Sequence, residues 1–282
     1  NTPVSVLCII PWGNRWIVGT TDTDFVADRN EPLANADDVQ YIIDQANRVL
    51  DPKIKVEDVL GVFAGLRPLV STTPDSPTTK LSREHVVDRP APGFVSIAGG
   101  KYTTYRVMAQ DAVDVAVPDL RRIVPESCTA TLPIVGADGY QVLKNKVETL
   151  AEEYKLSNET VTHLLERYGS LVEDIFELII EDPQLRTPIS GEALNIKAEI
   201  VYAATHEGAR CVDDVISRRT RLSFELGDHG ASIAQEVGSL IAPVLGWSAS
   251  DQKKSVNLYL DQISREVAAL KAAKPKAKSK AS

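Results

Sequence analysis

The feature that most constrains the fold is a change of hydrophobic periodicity before the middle of the chain. From residue 139 to residue 272, apolar side chains recur with a period of about 3.6 residues, which is typical of amphipathic helices. Residues 1–126 instead mix short β-rich runs with helical segments. The pattern predicts an α+β chain. A partial, mostly antiparallel sheet with flanking helices precedes an all-α C-terminal domain.

The same change of pattern predicts the domain boundaries. We expect an α+β region over residues 1–126 and a helical domain over residues 127–270. Residues 271–282 carry five lysines and no apolar side chain larger than alanine or proline, a composition typical of a disordered tail. A weak electrostatic tether to an anionic membrane surface is the alternative role for this tail. The helical segments predicted in the second domain are Tyr140–Tyr154, Glu159–Arg167, Leu171–Glu181, Leu194–Thr205, Val212–Arg218, Ser232–Leu245 and Asp251–Ala272.

The first region opens with a predicted hairpin. Two β-rich runs, Val4–Trp12 and Arg15–Phe25, are joined by Gly13-Asn14, a dipeptide that favours a tight turn. A helical pattern with apolar positions from 39 to 50 follows, which Asn35 or Asp37 can cap at its start and Asp51-Pro52 ends. β-rich composition predicts a further strand over Val56–Ser71.

The stretch "GFVSIAGGKYTTYR" predicts a buried strand, a glycine turn and a helix. The helix is expected from Thr103 to Val117, where Pro118 ends it. Its first N–H groups have no partner inside the helix, and glycines at 99 and 100 allow a ligand to approach the backbone. An anionic or carbonyl-bearing ligand would meet several donors there, including Lys101. A plain strand–turn–helix without a ligand explains the same spacing.

Two known phosphate-binding patterns are absent from the sequence. The stretch lacks the GxxxxGK[ST] spacing of a Walker loop, and the chain contains no Gly-x-Gly, which the dinucleotide-binding fingerprint requires.

Composition argues against several other functions. The net charge of -8 argues against general attraction to nucleic acid. The three cysteines form no CxxC pair, which favours free thiols in a reducing compartment. The four histidines form no HxH or HxxxH pair, so no metal site is predicted. The sequence has neither an apolar run of about 20 residues nor a signal-peptide pattern.

Four charged residues are candidates for binding. Arg67, in "GLRPLVS", stands in an apolar run and requires an anionic partner, either a ligand carboxylate or phosphate or a structural ion pair. Asp22 and Asp24, in "GTTDTDF", lie on one side of a strand, where they suit a cation, a base or a strand-end turn. Arg83 stands in a polar loop, where solvation explains it as well as binding does.

A further basic run, "SRRTRLSF", lies in the acidic helical domain. There it favours surface or interdomain ion pairs over nucleic-acid binding.

Four motifs, taken together and in this order, resemble one family. They are "IPWGNRWIVGTTDTDF", "GLRPL", "SREHVV" and "GGKYTTYRVMAQDAVD", and they resemble the C-terminal half of the FAD-dependent, quinone-linked glycerol-3-phosphate dehydrogenases. The stretch "EIVYAATHEGARCVDDVISRRTRLSF" is similar to the helical domain of that family. The resemblance covers nearly the whole chain except its basic tail.

The resemblance implies an activity and a set of partners. The family oxidises sn-glycerol 3-phosphate at C2 to dihydroxyacetone phosphate by hydride transfer to FAD, and passes the electrons to a quinone at the membrane. It implies a cytoplasmic protein in peripheral contact with the inner face of the cell membrane, and it leaves a homodimer open.

The resemblance also implies roles for particular residues. Arg67 and Lys101 are expected to act in catalysis and to hold the substrate, and Arg83 to approach the substrate phosphate. Asp22 is expected near the site, in a structural or a catalytic role. The residues expected to contact FAD are Gly99, Gly100, Lys101, Tyr102, Thr103 and Thr104.

One departure from the family concerns FAD itself. The Gly-rich dinucleotide-binding unit, which the family has in its N-terminal half, is absent, so we expect a fragment that binds little FAD and is inactive alone. The alternatives are a non-catalytic helical module for subunit or membrane association, a glycerol-3-phosphate oxidase, or an amino-acid oxidase type of flavoprotein whose arginine binds a carboxylate. The residues leave the catalytic base and the electron acceptor open.

Overall fold

The computed structural model describes residues 7–12, 15–23, 29–30, 32–67, 70, 84–120 and 122–271. The chain forms two compact units. The helical unit comprises Asn1–Thr21, Leu33–Ala64 and Ile134–Ser282, and the small unit comprises Asp22–Pro32 and Gly65–Pro133. Helices and two small antiparallel sheets make the chain α+β, as predicted. The boundary between residues 126 and 127 stays a prediction.

The helical unit begins with the predicted hairpin. Strands β1 (Cys8–Trp12) and β2 (Arg15–Gly19) pair antiparallel, from Cys8 opposite Gly19 to Trp12 opposite Arg15. The turn residues Gly13-Asn14 lie outside the described residues. β2 ends at Gly19, so the predicted strand is shorter than its β-rich composition suggested.

Helix α1 (Ala36–Ala46) follows, three residues earlier than the apolar pattern indicated. The Asn35 side chain explains this start, because its oxygen accepts the N–H groups of Asp37 (3.0 Å) and Asp38 (3.1 Å). Such a cap satisfies two donors that the first turn of a helix leaves unpaired. Ile43 and Ala46 are buried on the inner face of α1.

The predicted strand over Val56–Ser71 is wrong in its described part. Val56–Asp58 forms a short 3-10 turn, and residues 59–67 belong to no strand. Gly61 and Gly65 remove the side chains that cross-strand packing needs. Phe63 and Leu66, which made the run look β-like, are 71% and 46% exposed.

The small unit contains a second hairpin. Strands β3 (His85–Ala91) and β4 (Phe94–Gly99) pair antiparallel, from His85 opposite Gly99 to Ala91 opposite Phe94. Gly93 closes the turn with φ +74°, a backbone conformation that favours glycine.

A strand–turn–helix completes the described part of this unit. A 3-10 turn, Tyr102–Thr104, leads from β4 into helix α2 (Tyr105–Ala116). A second 3-10 turn, Val117–Leu120, contains Pro118, in agreement with the predicted end of the helix. The strand and the helix are therefore confirmed at this position.

The rest of the helical unit is built from helices, as predicted. Their bounds are α3 (Tyr140–Lys144), α4 (Val147–Tyr154), α5 (Asn158–Tyr168), α6 (Val172–Glu181), α7 (Lys197–Thr205), α8 (Leu222–Glu225), α9 (Ala234–Leu245) and α10 (Ala249–Lys271). The predicted helix Tyr140–Tyr154 is divided, because Asn145 and Lys146 form a turn. The segment predicted as a helix over Val212–Arg218 is a π-helix over Asp214–Arg219.

Two apolar clusters form the core of this unit. One joins α4, α5, α6 and the start of α7, and the other joins α7, the π-helix, α8, α9 and α10. Side chains with 0% exposure occur throughout, including Leu164, Ile175, Ile200, Ile216, Leu222 and Ile241. None of the described helices is both long and apolar enough to span a bilayer.

The described residues of the small unit form no comparable core. Among its described residues no hydrophobic side chain is fully buried, and Phe94, Ile97 and Ile123 are 57%, 40% and 99% exposed. The prediction that "GFVSIAGG" forms a strand is confirmed, but the prediction that this strand is buried is wrong within this structure.

Candidate functional site

Asp22 and Arg67 are brought together in the small unit. Nη1 of Arg67 donates a hydrogen bond to Oδ2 of Asp22 and forms an ion pair with it. The Arg67 side chain is 38% exposed and that of Asp22 is 19% exposed. The ion pair that the sequence left open is therefore present, and the guanidinium group remains accessible to solvent.

The glycine turn has the backbone geometry that its sequence indicated. Gly99 and Gly100 adopt φ values of +77° and +82°, which glycine tolerates and other residues rarely adopt. Lys101 is extended, at φ -124° and ψ 146°, and begins the 3-10 turn. The change of direction at two successive glycines places Lys101 at the start of the helix that follows.

Gly100 is required by packing inside the small unit. A Cβ atom at this position would lie 2.5 Å from Sδ of Met108 and 3.1 Å from Cβ of His85. The absence of a side chain at 100 thus lets α2 lie close to β3. This contact gives Gly100 a structural role beside the ligand approach that the sequence suggested.

The predicted donors after the glycines differ in their contacts. Thr104 uses both of its donors locally, since its N–H and its Oγ1 each donate to the Lys101 carbonyl at 3.0 Å. Lys101, Tyr102 and Thr103 are exposed, and Tyr102 is 90% exposed. The exposed surface of this turn is therefore formed by a cation, a phenol and a hydroxyl at a helix N-terminus.

Two predicted positions cannot be placed. Arg83 and Asp24 lie outside the described residues, so their roles stay predictions. Within the described part of the chain no group of His, Cys, Asp and Glu side chains is arranged to hold a metal ion.

One polar contact near the turn was missed from the sequence. Nε2 of His85 lies 2.7 Å from Oδ2 of Asp111, which joins β3 to α2 beside Gly100. No spacing rule connects these positions, because the two residues belong to different elements. Only the fold makes them neighbours.

A buried polar network in the helical unit was also missed. Glu199 is 0% exposed, and its Oε1 accepts from Tyr168 (3.1 Å) and Asn195 (3.0 Å) and lies 3.0 Å from Nε2 of His163. Its Oε2 accepts the N–H of Ile196 at 2.8 Å. Burial and the charge of Glu199 raise the pKa of Tyr168. The sequence contained one signal for this network, namely a Glu three residues after the helix start, where its side chain can accept a backbone N–H group.

Comparison with known proteins identifies relatives of both parts of the chain. Residues 1–106 match the family described as FAD dependent oxidoreductase, and residues 127–252 match the family described as C-terminal domain of alpha-glycerophosphate oxidase. Glycerol-3-phosphate dehydrogenase 2 of Mycobacterium tuberculosis (strain H37Rv) is 45% identical over 95% of this chain and 46% of that protein. This chain is homologous to the FAD-dependent glycerol-3-phosphate dehydrogenases. The resemblance that its motifs indicated is thereby confirmed.

More distant relatives agree with this homology. The mitochondrial glycerol-3-phosphate dehydrogenase of Mus musculus is 32% identical over 86% of this chain and 34% of its own length. The fold is similar to that of the glycerol-3-phosphate dehydrogenase from Bacillus halodurans, solved in complex with FAD, with a TM-score of 0.75 and 24% identity. That similarity covers 94% of this chain and 52% of the solved chain. The chain spans about half the length, 46%, of the first curated relatives that it matches.

Proposed function

We propose that this chain carries part of the active site of a FAD-dependent glycerol-3-phosphate dehydrogenase. The observation that supports this most is the 45% identity over 95% of the chain to proteins of that name. The partly exposed Asp22–Arg67 pair and the exposed residues after the glycine turn occur in the motifs that match that family. The proposed reaction oxidises sn-glycerol 3-phosphate at C2 to dihydroxyacetone phosphate.

Arg67 would bind the substrate. Its guanidinium group has five N–H donors in a planar fork, which suits a phosphate or a developing carbonyl oxygen. Asp22 accepts a hydrogen bond from Nη1 of Arg67 and thereby orients the guanidinium group. The other N–H donors of Arg67 would then bind the substrate. The partial exposure of both side chains supports these two roles, with Asp22 orienting Arg67 and Arg67 binding the substrate.

The turn at Gly99–Thr104 would contact the ring of FAD, the group that would accept the hydride. Reduced flavin carries negative charge, and a helix N-terminus beside a lysine stabilises an anion. In this structure Lys101, Tyr102 and Thr103 present exposed polar groups at that helix end. Lys101 would face both the ring and the substrate. We assign only the ring to this chain, because its sequence contains no Gly-x-Gly for the pyrophosphate.

The finer features of the fold belong to the same proposal. Strand residues of the predicted region 1–126 would form part of the substrate-binding sheet of the longer protein, and Arg83 would approach the substrate phosphate. The 282-residue chain alone would bind little FAD and would be inactive. Flavin absorbance that co-purifies with this chain would contradict the expectation that it binds little FAD.

The test of the reaction is anaerobic reduction of the flavin in a protein of the length of the curated relatives that contains this sequence. Glycerol 3-phosphate should bleach the flavin absorbance, whereas glycine, D-amino acids and 2-hydroxy acids should not. A response to a carboxylate substrate and none to glycerol 3-phosphate would favour the amino-acid oxidase type and refute the proposal.

The electron acceptor has two candidates. We propose a quinone, with peripheral contact at the inner face of the cell membrane, a cytoplasmic location and a homodimer as further expectations. The match of residues 127–252 to an alpha-glycerophosphate oxidase domain favours oxygen as the second candidate. Turnover with a water-soluble quinone and without oxygen consumption supports the first. Stoichiometric hydrogen peroxide supports the second. Co-sedimentation with anionic liposomes and sedimentation equilibrium test the membrane contact and the dimer.

A further inference from the structure

Two polar pairs join β3 to the helix that follows the glycine turn. Nε2 of His85 lies 2.7 Å from Oδ2 of Asp111 in α2. Arg89 forms an ion pair with Asp119, in the 3-10 turn that follows α2. All four residues belong to the small unit, and the proposed reaction gives none of them a role.

The spacing of the two pairs defines the position of α2 along β3. Residues 85 and 89 lie about 13 Å apart on a strand that rises about 3.3 Å per residue. Residues 111 and 119 also lie about 13 Å apart, on a helix and a 3-10 turn that rise about 1.5 Å and 2.0 Å per residue. Because the two spacings agree, both pairs form at one position of α2, and a shift by one helical turn would break both.

The first pair lies beside the glycine turn. An added Cβ at Gly100 would lie 3.1 Å from Cβ of His85 and 2.5 Å from Sδ of Met108. The strand β3 and the helix α2 therefore both approach this turn, and Lys101 follows it directly. The position of α2 along β3 thus decides where the exposed residues after the glycines lie.

Apolar packing gives α2 little other support in the described part of the small unit. None of the residues of α2, all of which are described, is buried, and Val107 and Val113 are 40% and 55% exposed. Apolar contacts are non-directional and permit small shifts, whereas a hydrogen-bonded ion pair requires a narrow range of distances. The two polar pairs are therefore the contacts that specify the placement of α2.

We propose that the two pairs position the turn at Lys101–Thr104 for the ring of FAD. The positioning residues are His85, Asp111, Arg89 and Asp119, which set the start of α2 against β3. The lysine and the N–H groups at that helix start move with it. This inference rests on the proposed contact between the turn and the flavin ring. A misplacement of about 1 Å near the reacting atoms lowers a rate by up to about 100-fold.

The variants that test this are Asp111→Ala, Asp119→Ala and the double variant in the longer, FAD-loaded protein. Each single variant leaves one pair in place and should slow flavin reduction by glycerol 3-phosphate by about 2-fold to 5-fold. The double variant removes both pairs and should slow it by about 10-fold to 100-fold, with unchanged flavin content. Asp111→Asn keeps an acceptor for His85 and should stay close to the wild-type rate.

The flavin midpoint potential is the measurement that a merely structural role would not change. A lysine and a helix N-terminus stabilise the negative charge of reduced flavin, so their displacement in the double variant should make the potential more negative. Asp114→Ala, at an exposed position of the same helix, is the matched control. It should leave both the rate and the potential unchanged.

A Lys101→Ala background tests whether the pairs act through the turn. If they do, the double variant causes a smaller further loss of rate once the lysine is absent. A measurement without flavin complements it, namely amide hydrogen exchange in the 282-residue chain. The amides of α2 should lose protection in the double variant and keep it in Asp114→Ala.

Three results would overturn the inference. They are an unchanged rate and potential in the double variant, a loss that multiplies fully with that of Lys101→Ala, and exchange in α2 as slow as in the wild type. The single variants, which keep one pair, decide the first point if the double variant loses FAD. A wild-type protein whose flavin is not reduced by glycerol 3-phosphate instead refutes the proposed function, and hydrogen exchange still tests the placement of α2.

Discussion

The two units of this chain differ in how much apolar surface they bury. In the helical unit Leu164, Ile175 and Ile200 are each 0% exposed, and two clusters connect the helices. In the small unit Phe94 and Ile97 of β4 are 57% and 40% exposed. Burial of apolar surface is the dominant stabilising contribution to folding. The described residues of the helical unit therefore contribute much more apolar burial to folding than the described residues of the small unit do.

Polar contacts hold the described part of the small unit together. His85 and Asp111 lie 2.7 Å apart, Arg89 pairs with Asp119, and Arg106 donates to Gln110 at 3.0 Å. Pairs as exposed as these contribute about 1 kcal/mol or less each. The residues proposed to bind substrate and flavin ring thus lie in the unit whose described residues bury less apolar surface, and functional segments are often of low local stability.

The largest expected effect is at the buried carboxylate of the helical unit. Glu199→Ala leaves Tyr168, Asn195 and the N–H of Ile196 without their common acceptor. We expect a loss of about 3–5 kcal/mol in the free energy of unfolding, measured with urea.

The control for Glu199 is an exposed carboxylate at a similar ion-pair distance. Glu236 is 43% exposed and lies 2.6 Å from Nζ of Lys197. Glu236→Ala should cost about 1 kcal/mol or less. Equal losses at both positions would remove the distinction between a buried and a surface acid.

The same apolar truncation in both units tests the comparison directly. Ile175→Ala removes a side chain with 0% exposure and should cost about 2–5 kcal/mol. Ile97→Ala removes one with 40% exposure and should cost about 1 kcal/mol or less. Urea unfolding of the 282-residue chain measures both, and a comparable loss at Ile97 would indicate a core in the small unit.

A smaller effect is expected at the glycine turn. Gly100→Ala adds a Cβ that meets Sδ of Met108 at 2.5 Å and also strains the backbone at φ +82°. Gly93→Ala, at φ +74°, meets no atom within 4 Å and has only the backbone cost, about 1 kcal/mol. Amide hydrogen exchange in β4 and α2 should accelerate more in Gly100→Ala. Similar exchange rates in the two variants would show that the Met108 contact is unimportant.

The smallest effect is a pH dependence at His163. Burial alone would lower its pKa, but the hydrogen bond and charge of Glu199 outweigh burial, and the pKa is raised above 6.5. Because protonated His163 is favoured in the folded chain, its contribution is complete below about pH 6.5 and is lost as pH rises through the raised pKa. The unfolding free energy should therefore fall as the pH rises above about 6.5.

His163→Gln tests this dependence and should reduce it. Arg167 and Glu225 also act on His163, and the pKa of Glu207, raised by burial, gives a residual dependence of the same sign. A pH dependence that is the same in wild type and His163→Gln would mean that His163 does not titrate with folding.

The sequence predicted the helical unit better than the small unit for a physical reason. A helix buries a stripe with a fixed period, so residues such as Leu164 and Ile175 identify their own elements. The segment 59–67 was wrongly predicted as a strand, because Phe63 packs on Phe224, far along the chain, and not on a neighbouring strand. The strand β4 was also wrongly predicted to be buried, because an apolar composition alone does not show whether another surface covers a strand.

The features of the candidate site were likewise predicted where they are local and missed where they join distant residues. The strand, turn and helix around Gly99 and Gly100 follow from residue type, and they were predicted. The pairing of Arg67 with Asp22 was left open, since many carboxylates were available to that arginine. The Glu199 network and the His85–Asp111 contact join separate elements, which no local pattern specifies.

The most direct test of the central proposal is the rate of flavin reduction by glycerol 3-phosphate in Arg67 variants of the longer protein. Arg67→Ala should lower kcat/KM by an amount that corresponds to about 2–4 kcal/mol, with flavin content unchanged. Arg67→Lys should recover only part of this, because an ammonium group lacks the planar fork. An Arg67→Ala protein with wild-type kcat/KM and full flavin content would contradict the assignment of Arg67 to the substrate.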